Sequence, residues 1–270
     1  LLMLLKGRRL FLSNPFQRLN RFFPNLLGIH PRLRLRGETA PHPDQAIELY
    51  KKQLLDKRES NLFSDLTIFL IDSQLPKPEK LTLLSQGTKH PSPQYQARSL
   101  EGLLELDDAA FNRHCRELLS QFPKEWAMND AAWHHVAILE LAFCSVDPAI
   151  LELAYRQAKR MPARARIALL AHLAWADFRP SKNLALAHMA RFLDDQEVYR
   201  FDQKHTQEDL WSAFRGFETI EVRNYAANQI LTVLGIGMPL DDKTSDADWA
   251  RIRDFVQQEV GRRLEWDRGK

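Results

Sequence analysis

Nowhere in the 270 residues does an apolar run approach the roughly eighteen positions that a membrane-spanning helix needs. Even Ile167 to Ala176 is interrupted by His172 and stops at Asp177. The ten glycines are scattered, and neither GxxxxGK nor GxGxxG can be written, which argues against nucleotide-driven chemistry. HExxH is absent and no serine stands in a GxSxG setting, so the common hydrolase signatures fail as well. The two cysteines, Cys115 and Cys144, fit no CxxC or metal-finger spacing. They are expected to be small buried hydrophobes in a reducing, cytoplasmic compartment. Period-2 alternation of β-branched residues is essentially absent too, and pairs such as Thr67-Ile68 sit inside helical stripes.

What is present is ordinary in amount and uneven in placement. Apolar residues make up 44% of the chain, enough to bury a sizeable core in one elongated domain or two packed halves. The formal net charge is only +3. Up to Arg36, however, there are eight basic residues and no acidic one, which leaves 30 Lys+Arg against 35 Asp+Glu in the remainder. A basic, apolar arm over residues 1–36 therefore precedes a mildly acidic body over residues 37–270, with Gly37 to Pro41 as the linker. The arm shares composition with an organellar transit peptide and with a membrane-surface or nucleic-acid-binding segment. It equally suits a short helix packed on the body through Leu10, Phe11, Phe16, Leu19, Phe22 and Phe23. A secretory signal is disfavoured, because Lys6, Arg8 and Arg9 follow the first apolar residues and no small-residue cleavage site appears.

Helical periodicity runs through the body. Ile47, Tyr50 and Leu54 share one face, and Leu62, Leu66, Phe69 and Leu70 predict the next helix. Phe111, Cys115, Leu118, Leu119 and Phe122 form the clearest amphipathic stripe, and Trp133, Ala137, Leu141 and Cys144 form another. A further stripe runs through Ile150, Leu151, Ala154, Ala158 and Met161. Ser92-Pro93, Asp147-Pro148 and Pro162 mark helix starts, since proline lacks an N–H that would be unpaired there anyway. Pro180 and Gly235 mark stops. Ala163 to Phe178 is apolar almost throughout and predicts a helix covered on several sides.

Three segments look alike: Tyr95 to Leu104, Arg164 to Leu170 and Glu221 to Gly235. The last, with Val222, Arg223, Ala226, Ala227, Ile230, Leu234 and Gly235, resembles the inner helix of a HEAT-type repeat. That resemblance implies an all-α, irregular α-solenoid of stacked antiparallel helix pairs. The spacing is uneven, 68 residues from Arg98 to Arg166 and 57 from Arg166 to Arg223, where about 40 to 47 is usual.

Several groupings are candidates for chemistry. His134 and His135 point about 100° apart on a helix and cannot readily share a metal; one solvated ring and one packed against Trp133 is the plainer reading. Asp202, His205 and Glu208 lie at three-residue intervals, yet Thr206 reads as the N-cap of a helix from Gln207 to Phe217, with Asp209 completing a capping box. No metal, cofactor or catalytic residue is assigned. Trp175, Asp177 and Arg179 resemble, in residue type alone, what HEAT-like alkylpurine DNA glycosylases place in their cleft. An acidic body opposes the phosphate contacts that such an enzyme needs.

The stretch from Asp194 to Glu218 mixes aromatics, arginine and carboxylates, the composition of a binding hot spot. Tyr199, Phe201, His205, Trp211, Arg215 and Glu218 are the candidate partner-binding residues, although Leu210, Trp211, Phe214 and Phe217 at helical spacing also suit a core. Phe214 to Leu240, ending before Asp241-Asp242, resembles the C-terminal helix of some all-helical bacterial toxin-immunity proteins. The resemblance implies a non-catalytic scaffold that neutralises a basic toxin by charge and aromatic anchors. The alternative from a different class is a nucleic-acid-binding enzyme of the glycosylase type.

Overall fold

The computed structural model describes residues 43–56, 62–126, 130–175, 182–200, 217–237, 240 and 243–268. The arm, the Gly37 to Pro41 linker and Pro180 lie outside them. Among the described residues there are eleven helices and two short strands, so the protein is all-α in class. None of the helices is long and apolar enough to cross a membrane. The chain divides after Ala158 into two compact units.

Unit 1 holds α1 (Pro43–Leu55), α2 (Leu62–Asp72), α3 (Lys77–Gly87), α4 (Pro93–Leu106), α5 (Asp108–Ser120), α6 (Asp130–Ala142) and all but the last two residues of α7 (Pro148–Arg160). Helices neighbouring in sequence pack together, as α1 with α2, α3 with α4 and α4 with α5, and α4 also packs on α2 and α6. The α5 stripe is buried as its spacing predicts, from Phe111 to Phe122. Asp107 caps that helix by accepting the Ala110 N–H at 2.9 Å, a bond worth about 1 kcal/mol. The prolines at 93 and 148 stand at the first positions of α4 and α7.

In α2 the buried face differs from the expected one. Leu66 and Leu70 are buried, but Leu62 and Phe69 are exposed and Phe63 is fully buried in their place. The cause is tertiary. The Phe63 ring stacks on Tyr95 at 3.8 Å and on Tyr50 at 4.9 Å between centroids, and only the 63/66/70 face meets both α1 and α4. Neither His134 nor His135 is the solvated ring expected of one of them. His134 is buried, while the His135 ring meets Phe122 and Trp126 edge-on at 4.8 and 5.4 Å. Cys115 and Cys144 are free thiols. Cys115 is fully buried, and burial pushes its thiol up to about 12, so it is inert as a nucleophile; Cys144 is half-buried.

Glu101 of α4 is the titratable group with the largest consequence in unit 1. Its carboxylate pairs with buried Arg98 at 3.2 Å. Burial pushes Glu101 up to about 7 against the pull of Arg98, and Glu105 and Glu140 add repulsion. The folded unit therefore holds a proton that the unfolded chain releases near 4.5, and stability present below that pH is lost as pH rises towards about 7. Hydrogen exchange of α4 amides, corrected for intrinsic rate, should report opening that becomes easier by roughly 1–3 kcal/mol from pH 4.5 to pH 8. In Glu101→Gln this slope should flatten; an unchanged slope would assign the proton elsewhere.

Unit 2 holds α8 (Ala163–Trp175), α9 (Lys182–Ala190), β1 (Val198–Arg200), β2 (Thr219–Glu221), α10 (Val222–Leu234) and α11 (Asp246–Arg268). Residues 163, 165 to 171 and 173 of α8 are buried with His172, so this helix is covered on several sides as its composition predicts. It packs on α9 and α10, and α9 and α10 both pack on α11. Small Ala226 and Ala227 are fully buried. Gly235 ends α10 at φ 73°, in the left-handed region that favours glycine. The 23-residue α11 begins with a reciprocal cap, in which Ser245 Oγ donates to Asp248 at 2.6 Å and accepts the Asp248 N–H at 3.2 Å. The sequence Ser245-Asp246-Ala247-Asp248 carries that signal in a form close to the capping box.

Candidate functional site

The two strands are the departure from purely helical expectation, and they frame the candidate binding stretch. Val198, Tyr199 and Arg200 pair antiparallel with Glu221, Ile220 and Thr219. Three residues per strand are too few to produce a readable alternation, so the pairing arises from tertiary contacts rather than local propensity. Residues 201–216 leave from Arg200 and return at Phe217, which places Phe201, His205, Trp211 and Arg215 outside the described residues. Asp202 and Glu208 lie there too, as does the expected helix from Gln207; Phe217 itself is not helical but precedes β2. Trp175 ends α8, and Asp177 and Arg179 follow outside the described residues. No group of three or more metal-ligating side chains occurs among the described residues.

The ribbon is anchored at its base by Arg166 of α8. This guanidinium is buried and donates to both Asp195 and Glu197. The same two residues cap two helix starts. Glu197 accepts the Ala163 N–H through its carboxylate at 3.2 Å and the Val222 N–H through its carbonyl at 2.9 Å. The Asp195 carbonyl accepts the Arg223 N–H at 2.8 Å. Residues 195–197 thus satisfy donors that α8 and α10 would otherwise leave unpaired, and their negative charge suits the positive ends of both helix dipoles. On the return side the Phe217 ring lies 6.1 Å from Trp249 of α11, and Arg223 pairs with Glu221.

Strand alternation then sorts the ribbon's side chains by face. Tyr199 lies opposite Ile220, which is buried, and is itself half-buried. The outer positions are Val198, 56% exposed, together with Arg200 and Thr219; Glu218 is exposed as well. Of the six residues expected from sequence, the structure thus describes Tyr199, in the middle of β1, and Glu218, which immediately precedes β2 beside the Arg200–Thr219 pair. Val198, Arg200 and the anchors Arg166, Asp195 and Glu197 were not legible as site residues. The local hint was the pair Arg164 and Arg166 at the start of the largely apolar α8, which does not say which of the two is the anchor.

Beside the ribbon, α9 and α11 border a groove of about 670 Å³. Ala187, Ala190, Leu193, Val260 and Leu264 line it together with three cations, Lys159, Arg191 and Arg253, and two carboxylates, Asp254 and Asp194, the latter being the first of the acidic stretch. From Asp194 to Glu221 there are eight carboxylates against three basic residues, Arg200, Lys204 and Arg215. Comparison with family models, with curated proteins and with solved structures finds no match for this chain.

Proposed function

We propose that this protein is a non-catalytic helical scaffold whose unit 2 binds a basic protein, and that it acts as an immunity protein neutralising a cognate bacterial toxin. The observation that carries the reading is the acidic, aromatic-bearing stretch from Asp194 to Glu221, held to the core at one end by Arg166 and at the other by Phe217 on Trp249. Anchored ends lower the ordering cost of binding. Surplus carboxylates steer a basic partner and reject acidic ones. The packing of alternate helices, α2 on α4 on α6 in unit 1 and α8 on α10 in unit 2, supports an irregular HEAT-like solenoid within each unit.

The test is co-expression with the toxin that this reading requires to be encoded beside the protein's gene. The intact chain should rescue growth and hold the toxin in an equimolar complex. Reversing the charge at Glu218→Lys and adding a positive charge at exposed Val198→Lys should weaken that complex at least about tenfold while the helical circular dichroism stays unchanged. Rescue that survives both changes, or recovery of nucleic acid in place of a protein, would sink the reading.

A further inference from the structure

We infer that unit 1 carries an anion-binding pocket, independent of the acidic stretch, that takes a phosphate group. An open surface pocket of about 340 Å³ lies against the C-terminal half of α3 and the middle of α5. Its lining is Leu81, Thr82, Ser85, Gln86, Lys89 and Arg113. This set holds two cations, two hydroxyls and an amide, and it contains no carboxylate. No ion pair to a carboxylate is formed by Lys89 or Arg113 among the described residues, whereas Arg98, Arg116 and Arg166 each have such a partner.

The end of a helix carries partial negative charge, which would oppose an anion beside α3. That opposition is largely removed here. The Leu84, Gln86 and Gly87 carbonyls accept the Thr88, Lys89 and His90 N–H groups, and the Ser85 carbonyl accepts the Thr88 hydroxyl. Lys89 is consequently not needed as a cap for the last carbonyls, and two full positive charges face a screened fraction of one negative charge. Thr82 donates its own hydroxyl proton to the Pro78 carbonyl, so the donors left for a ligand are Lys89, Arg113, Ser85 and the Gln86 amide. Cationic and hydroxyl donors without a competing acceptor match the several acceptor oxygens of a phosphate, and the arginine fork can engage two of them at once. The volume leaves room for a small organic group on the phosphate.

A reporter stands next to the pocket. His114 of α5 is buried, with Nδ1 3.0 Å from the Glu117 carboxylate and 3.2 Å from Thr88 Oγ1. Because the Thr88 proton goes to the Ser85 carbonyl, the network places the His114 proton on Nδ1, donated towards Glu117 and Thr88. Burial lowers the affinity of His114 for a second proton, Glu117 opposes that, and Arg113 and Lys89 lower it further. An anion between those two cations cancels part of their field, so ligand binding should raise the His114 pKa.

The test is a titration of the full chain, with the His114 ring resonances followed by NMR as inorganic phosphate or glycerol phosphate is added at constant ionic strength. A saturable shift is expected, with the His114 titration midpoint moving upward. Lys89→Ala and Arg113→Ala should each weaken binding about tenfold; both side chains are exposed, so the fold should be kept, as circular dichroism will show. Tighter binding of glycerol phosphate would assign a small phosphorylated metabolite, and equal affinity would assign free phosphate. No shift, a shift that chloride reproduces at the same ionic strength, or a shift that persists in both variants would overturn the inference.

Discussion

Arg166→Ala should unfold unit 2 at markedly lower denaturant, with a loss of about 3 kcal/mol. The side chain is buried and holds two carboxylates, so its removal leaves the largely buried Asp195 without its counter-charge. Glu197 is 54% exposed and contributes little, because water can replace its partner. The indirect effect is larger than the ion pairs alone, since residues 195–197 also accept N–H groups from the first turns of α8 and α10. Losing their placement unpairs both helix starts. Trp249 packs against Phe217 on the return side of the ribbon, so tryptophan fluorescence during urea unfolding should show the shift. Arg166→Lys should recover only part of the loss, because an ammonium cannot present the two-pronged geometry that engages two carboxylates. Unfolding of Arg166→Ala at the wild-type midpoint would show that the clamp does not hold the ribbon.

Gly87→Ala should be comparably severe in unit 1. A Cβ added at Gly87 would lie 1.9 Å from Ser99 Oγ, 2.9 Å from Ser99 Cβ and 3.2 Å from the Tyr50 hydroxyl. Ser99 is fully buried and cannot swing into solvent, and its hydroxyl meets that of Tyr50 at 3.4 Å. The methyl must force α3 away from α4 or break this buried contact. Overpacking of this kind costs about 3 kcal/mol, set against a gain of up to about 1 kcal/mol from replacing a helical glycine. Thermal melting should therefore register a net loss of about 2 kcal/mol. Ser99→Ala in the same chain should return part of it, and that non-additivity is the signature of direct contact. Gly261→Ala is the control: nothing lies within 4 Å of the added Cβ, so a stabilisation of up to about 1 kcal/mol is expected.

Much of the helical framework was legible because helix signals are local. The stripe from Phe111 to Phe122, the prolines opening α4 and α7, the covered α8 and the glycine closing α10 each depend on residues within a few turns of one another. The exposed faces were less legible. Leu62 and Phe69 have the same apolar character as Phe63 and Leu66, and nothing in α2 itself says which pair meets Tyr50 and Tyr95. The tyrosines approach from 13 residues before Phe63 and 32 after it, a separation over which periodicity carries no information.

The candidate site divides along the same line. Composition alone nominated the candidate stretch between Asp194 and Glu218, because charge and aromatic content belong to the sequence whatever the fold. Pairing of Val198–Arg200 with Thr219–Glu221, the turning inward of Tyr199 beside Ile220, and the choice of Arg166 as anchor were decided by tertiary structure. Arg166 stands 29 residues before Asp195. Only when α8 and α10 bring their first turns together do a buried guanidinium, two carboxylates and three unpaired N–H groups meet and satisfy one another. The sequence by itself determined the starts of α4, α5 and α7, the end of α10, and how charge is distributed along the chain. Which faces are buried, and which buried charge holds the acidic stretch, followed from long-range packing, because burial and desolvation are properties of neighbours that the chain reaches only on folding.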